Sequence, residues 1–344
     1  MLLEPLATHR VVSLRSYPLF PTGMSEPAVS IRQVVKRYDG HLAVRELSLT
    51  VPKGTVYGLL GPNGAGKTTS IRMLLNIIAP DSGDIRVLGA SHDDPRIVDR
   101  VGYLPEERGL YRKMQVRRVL RFLGELKGLS GKEADRRIDL WLERLGLKNG
   151  SEDWSNAKVD ELSRGMQQKV QFIGSLLHEP ELVVLDEPFS GLDPINAQAL
   201  KDTVVDLRKQ GRTVIFSTHI MDNAERMCDA VCIIARGEVV LDGKVSDVRD
   251  SHSARLVSIS FTEAPTTAVH AVLRDPTLVT RLDDSHQVVE AELATHASAP
   301  ALLTRLISAG ASIERFELVR PSLHRIFLER VGATDVEVGM TGHG

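Results

Sequence analysis

The sequence predicts an α/β protein built on a largely parallel sheet and followed by a small α+β unit, and three observations carry that prediction. From residue 28 to about 250, near-continuous apolar runs such as "TVYGLL", "ELVVLD" and "TVIFST" read as strands covered on both faces. They alternate with helical patterns such as "PINAQALKDTVVDLRKQ", the order of strand–helix–strand units. The first of these strands runs directly into a glycine-rich stretch, "GPNGAGKTTS", and then into the helix "SIRMLLNII".

The bulk composition sets limits on function. A chain of 344 residues is long enough for two domains. Its net charge of −2 supplies no field that would recruit nucleic acid or an anionic membrane. Two cysteines, Cys228 and Cys232, argue against a disulfide framework. No His or Cys stands at ligand spacing from them, so they read as core residues rather than a metal site. No run approaches the ~20 apolar residues of a spanning helix. If the protein works at a membrane, another chain must do the spanning.

Taken in order, residues 1–27 are expected to be an unstructured extension. "MLLEPLATHRVVSLRSYPLFPTG" lacks the apolar core and cleavage site of a signal peptide, and Met24 reads as a natural start. The stretch "GPNGAGKTTS" places Gly61, Gly66, Lys67 and Thr68 at the spacing of a phosphate-binding loop between strand and helix. Its glycines let successive backbone amides face phosphate oxygens, and the helix N-terminus adds its positive end. The loop Gly61, Pro62, Asn63, Gly64, Ala65, Gly66, Lys67, Thr68 and Thr69 is therefore expected to hold the phosphates of a nucleotide, which the resemblance given below implies is ATP. Lys67 would reach the β- and γ-phosphates, and the Thr68 hydroxyl would ligate Mg2+.

Further along, "GYLPEERGLYRKM" (residues 102 to 114) starts as a buried strand and breaks at Pro105 into Glu106 and Glu107. A strand that ends so is either leaving the core for solvent or presenting oxygens to something. Apolar residues at three and four in "VRRVLRFLGELKG" and "KEADRRIDLWLERLGL" then mark a helical insert over about 106–165. The arginines around its start suit either an acidic partner loop or a solvated face. "ELVVLDEP" ends a strand in two adjacent carboxylates. Asp186 can hold magnesium, usually through water, and Glu187 can polarise an attacking water. From residue 255 a second alternation begins: "RLVSISF", "HQVVEAEL" and "SIERFELV" read as strands, with "APTTAVHAVLRD" and "APALLTRLISAG" as helices between them and "SLHRIFLERV" as a closing helix. This predicts a small α+β domain of ferredoxin-like order over 255–332, with 333–344 a flexible tail.

The stretch "ELSRGMQQKVQF" carries a family resemblance. Ser163, Gly165 and Gln167 resemble the signature motif of ATP-binding cassette (ABC) ATPases. The other motifs follow in order: Tyr38 resembles the aromatic that stacks on adenine, "SGLD" from Ser190 to Asp193 resembles the D-loop, and His219 in "STH" resembles the switch histidine that hydrogen-bonds γ-phosphate. The resemblance covers residues 28–250. It implies a P-loop NTPase cassette with a helical subdomain, and catalytic roles for Glu187, His219 and Lys67. It also implies that Ser163 and Gly165 contact nucleotide bound on an opposite cassette, so that two cassettes, expected to be identical, pair head to tail.

In that family a glutamine usually follows "GYLP"; here the position is Glu106, a carboxylate suited to magnesium but repelled by phosphate. Arg164 and Met166 also depart from the usual signature. Together "GYLPEERGLY", "LSRGMQQKVQ" and "FELVRPSLHRIFLERV" resemble the sodium-efflux (NatA-like) branch of ABC exporter ATPases, which carries a small domain after the cassette. The function implied is the ATP-hydrolysing subunit of an exporter, peripheral on the cytoplasmic face of the membrane beneath a separate permease, with no nucleic acid partner. Soluble ABC ATPases of DNA repair place a very long coiled coil between phosphate loop and signature. Only about a hundred residues separate Gly61 from Ser163. Translation-type ABC factors carry two cassettes; this chain has one.

Overall fold

A computed structural model describes residues 26–331, apart from Arg108, Ser151, residues 252–254 and residues 285–287. The expected N-terminal extension, save its last two residues, and the expected tail lie outside the described residues. Two long strands, β1 (Val29–Tyr38) and β2 (His41–Val51), open the chain and meet at a tight turn through Asp39 and Gly40. Then come β3 (Val56–Leu60), α1 (Lys67–Leu74), β4 (Ser82–Val87), β5 (Ala90–Ser91) and β6 (Val101–Leu104). The helical insert contributes α2 (Val116–Leu126), α3 (Gly131–Arg144) and a short hairpin of β7 (Lys148–Asn149) and β8 (Glu152–Asp153). After it follow α4 (Arg164–Leu176), β9 (Leu182–Asp186), α5 (Pro194–Lys209), β10 (Thr213–Thr218), α6 (Met221–Met227), β11 (Ala230–Ala235), β12 (Glu238–Lys244) and α7 (Val245–Asp250).

The central sheet has the order β12-β11-β3-β10-β9-β6, parallel throughout except for the antiparallel edge strand β12. Its side chains divide by the two-residue period of a strand. Val56 and Leu60, Val183 and Leu185, and Val214 and Phe216 enter one core, which the helical insert covers. Tyr57 and Leu59, Leu182 and Val184, and Ile215 enter a second core against the antiparallel sheet β2-β1-β4-β5 and helix α1. Burial on both faces is why these strands read as unbroken apolar runs.

The C-terminal elements are β13 (Leu256–Phe261), α8 (Thr267–Leu273), β14 (Val279–Asp283), β15 (Val288–Leu293), α9 (Ala299–Ser308), β16 (Ile313–Leu318) and α10 (Leu323–Val331). The sheet order β14-β15-β13-β16, all antiparallel, is ferredoxin-like. Strand β14 is one that the sequence pattern did not mark. It lies at the sheet edge, and only Val279 of its residues is fully buried, so its composition carries little strand signal.

Helix α10 differs from expectation in where it packs. Its pattern placed it with the small domain, yet Leu323, Ile326 and Phe327 lie in the cassette core together with Met221, Ala224 and Met227 of α6. The Leu323 N–H donates to Glu225 Oε2 at 3.0 Å, and Arg249 pairs with Glu225 at 2.9 Å. On its other side Arg325 reaches Glu290 of β15 at 2.7 Å. The helix thus ties the small sheet to the cassette, while the sheet and helices α8 and α9 enclose a core of their own around Val257, Ile259, Val269, Ala291, Leu302 and Leu306.

Candidate functional site

The phosphate-binding loop is a left-handed excursion between β3 and α1. Gly61 has φ 149°, and a Cβ there would stand 2.1 Å from the Ile234 carbonyl oxygen. Gly66, which caps α1, has φ 103°, and a Cβ there would meet the Ala43 carbonyl oxygen at 2.6 Å. Both positions exclude any side chain. Lys67 Nζ, almost fully buried, donates to the carbonyls of Gly61 (2.8 Å) and Pro62 (3.1 Å) and lies 3.7 Å from Glu187 Oε1. Burial lowers the Lys67 pKa, opposed by the carboxylates of Glu187, Asp186 and Glu106.

The two carboxylates at the end of β9 are held differently. Asp186 is completely buried; the Ser217 hydroxyl donates to its Oδ1, while its Oδ2 has no partner among the described residues. An orphaned carboxylate oxygen is costly unless something binds it. A hard cation, reached directly or through water, fits that requirement. Glu187 takes φ 45°, unusual for a residue other than glycine. Its N–H donates to Ser217 Oγ at 3.0 Å, which anchors the strained backbone. Its Oε1 accepts the His219 N–H at 3.0 Å and stands 2.9 Å from His219 Nδ1. The His219 backbone and ring and the Lys67 ammonium therefore converge on one Glu187 oxygen.

In front of these groups opens a cleft of about 890 Å³, its mouth included. Asn63, Gly64, Ala65, Gly66, Lys67, Thr68 and Thr69 form its floor, and Glu106 and Glu187 its far wall. Partial desolvation at the cleft raises the Glu106 pKa, helped by the negative charge of Asp186 and Glu187. The strand that ends at "GYLP" does present oxygens to the cleft. Tyr38 and His41, paired across the β1–β2 turn, stand at its mouth, with Lys36 Nζ 5.5 Å from the Tyr38 ring centre. Thr68, Glu106 and Asp186 offer a hydroxyl and two carboxylates, the donor set Mg2+ accepts alongside phosphate oxygens and water.

The signature and the "SGLD" turn form a separate group outside the cleft wall. Ser163 caps α4, its Oγ accepting the Met166 N–H at 3.3 Å. A Cβ at Gly165 would lie 2.8 Å from Asn196 Nδ2, so the glycine lets α4 and α5 pack closely. Asp193 caps α5, accepting the N–H groups of Ile195 (3.1 Å) and Asn196 (3.0 Å). The Gln167 amide turns inward and donates to the carbonyls of Val159 and Leu162, both at 3.0 Å. In this chain Gln167 and Asp193 are thus engaged in supporting the local backbone rather than facing its own cleft.

Two residues of the site escape motif reading. Ser217 bridges the acidic pair, and its place inside "STH" was the available signal; what it bonds to depends on strand pairing. His41 lines the cleft only because the hairpin turns it beside Tyr38.

The ABC transporter family matches residues 44–190, and the family described as the C-terminal domain of DrrA1-3-like ATP-binding proteins matches residues 243–331. An uncharacterized ABC transporter ATP-binding protein of Bacillus subtilis, YhaQ, is 39% identical over 305 residues, covering 89% of this chain and 99% of that protein. The ABC transporter ATP-binding protein NatA of the same organism is 36% identical over 222 residues, 64% of this chain and 89% of NatA. Among solved structures, the ATP-binding subunit of an ABC transporter superposes with a TM-score of 0.60 at 30% identity, covering 65% of this chain and 93% of that one.

Proposed function

The chain belongs to the ABC transporter ATP-binding proteins, and on that premise we propose that it drives export through a separate membrane permease as one of two identical cassettes. As a member of that family it is an ATPase that uses ATP with Mg2+ and converts ATP and water to ADP and phosphate. The observation that carries the assignment of roles is the convergence of Lys67 and His219 on Glu187 Oε1, behind the phosphate loop.

Tyr38 stacks on the base at the cleft mouth. Amides from Gly61 to Thr69 and the Lys67 ammonium bind the phosphates. Thr68, Asp186 and Glu106 hold the magnesium, which supplies charge neutralisation at the transferring phosphate. Glu187, anchored through Ser217, accepts a proton from the attacking water, and His219 orients the carboxylate and reaches toward the γ-phosphate. Ser163 and Gly165 complete the site of the opposite cassette, with Gln167 and Asp193 supporting that face. No described helix is long and apolar enough to cross a membrane. This supports a peripheral place at the inner membrane face, with the permease supplied by other chains. The relation to NatA supports the exporter branch.

The test is Glu187→Gln. The variant should bind ATP with near-normal affinity, lose turnover, and accumulate as a closed dimer by light scattering when given Mg2+ and ATP. Hydrolysis at the wild-type rate would overturn the assignment. Co-purification of the chain with a polytopic membrane protein from detergent-solubilised membranes tests the transport reading separately.

A further inference from the structure

Helix α4 carries more than the signature at its start. Three residues apart on one of its faces, Gln168 and Gln171 are both buried. Each sends its amide N–H₂ to a backbone carbonyl of a loop that bears a site carboxylate. Gln168 Nε2 donates to Pro188 O at 3.4 Å, one residue beyond Glu187. Gln171 Nε2 donates to Glu107 O at 3.0 Å, one residue beyond Glu106. The remaining Gln171 Oε1 is buried without a partner among the described residues, so the Glu107 bond is what orients this amide.

The loop after β6 needs such support. β6 stops at Leu104, and Pro105 removes a backbone donor just where the chain leaves the sheet. Glu106 and Glu107 themselves are exposed rather than packed. Glu106 and Glu187 line the same cleft, two carboxylates facing one space, and like charges there repel. A loop under like-charge repulsion, with no regular pairing of its own, swings outward unless something holds its backbone.

We propose that Gln171 is a positioning residue for Glu106, holding its loop against the signature helix so that its carboxylate stays over the metal-binding end of the cleft. The proposal rests on the metal role given to Glu106 above. It also makes α4 one rigid part linking the face that meets an opposite cassette at Ser163 to the carboxylates of this chain's own site.

The experiment compares Gln171→Met, which keeps the volume and removes the amide, with Glu106→Ala and the double variant, all in the full-length chain. Hydrogen exchange in the nucleotide-free protein reads the loop directly. Binding of Mn2+ in the presence of a non-hydrolysable ATP analogue reads the metal site. Gln171→Met should speed amide exchange across residues 105–110 without lowering the melting temperature by more than a few degrees. It should weaken Mn2+ by about threefold to tenfold, the usual effect of one lost internal hydrogen bond. Glu106→Ala should weaken Mn2+ by roughly 10- to 100-fold, and the double variant no further than Glu106→Ala. If Gln171→Met destabilises the whole chain, Gln171→Asn, too short to reach Glu107, replaces it in the same comparison. Unchanged Mn2+ affinity with Gln171 altered, while Glu106→Ala weakens it, overturns the proposal and leaves the Glu106 reading standing. Additive losses in the double variant show that Gln171 acts elsewhere and also overturn it. Unchanged affinity in Glu106→Ala overturns both.

Discussion

Ser217→Ala should be among the most damaging small substitutions in this chain. The hydroxyl is completely buried where the ends of β9 and β10 pair; it accepts the Glu187 N–H at 3.0 Å and donates to Asp186. Removing it orphans a buried N–H, which costs about 1–3 kcal/mol. It also takes a charge-assisted bond from a carboxylate whose other oxygen already lacks a partner among the described residues, a further loss of about 1.5–3 kcal/mol. The two together come to about 2.5–6 kcal/mol, a large part of a typical folding free energy. For a chain of 344 residues, at about 1.4 °C per kcal/mol, that corresponds to a melting temperature roughly 4 to 8 °C lower. Mg2+ and ATP should narrow the gap, because the cation restores a counter-charge to Asp186. The assay is thermal unfolding of wild type and variant, with and without Mg2+ and ATP. In an Asp186→Asn background the loss from Ser217→Ala should shrink. A nucleotide-free variant melting within about 1 °C of wild type would refute the reasoning, since the bridge would then contribute nothing.

Two further outcomes are expected. Asp242, partly buried on the edge strand β12, accepts the Tyr57 hydroxyl at 2.6 Å, and desolvation pushes its pKa up to about 7 from the ordinary 3.8. The folded chain then binds the extra proton between those values, so this group stabilises fully below about pH 4 and loses that contribution as pH rises to about 7. Asp242→Asn should remove that component, on the order of a few kcal/mol, and equal pH slopes of urea midpoints in the two proteins would contradict it. Phe327→Ala on α10 should cost about 3–5 kcal/mol and lower the unfolding midpoint of the cassette itself, followed by nucleotide-protected melting. A cassette midpoint that stays put would mean the helix is dispensable to the core it enters.

What the sequence determined was whatever depends on neighbours along the chain. Strands buried on both faces must be apolar at every position, so "ELVVLD" and "TVIFST" announced the parallel sheet. The expected phosphate loop is a nine-residue local structure in which Gly61 and Gly66 combine positive φ with close carbonyl approach, so its pattern is legible from spacing alone. The adjacency of Asp186 and Glu187 at a strand end was equally plain. Tertiary structure decided what distant segments do to one another. The pattern of "SLHRIFLERV" marks an apolar face and is silent on what covers it; only folding shows that face entering the cassette core against α6. Likewise Ser217 becomes the clamp of the acidic pair through the pairing of β9 with β10. Gln171 finds Glu107 across 64 residues of chain. A hydroxyl or an amide advertises only that it needs partners, and which partners it gets is settled by the packing of the elements that carry it.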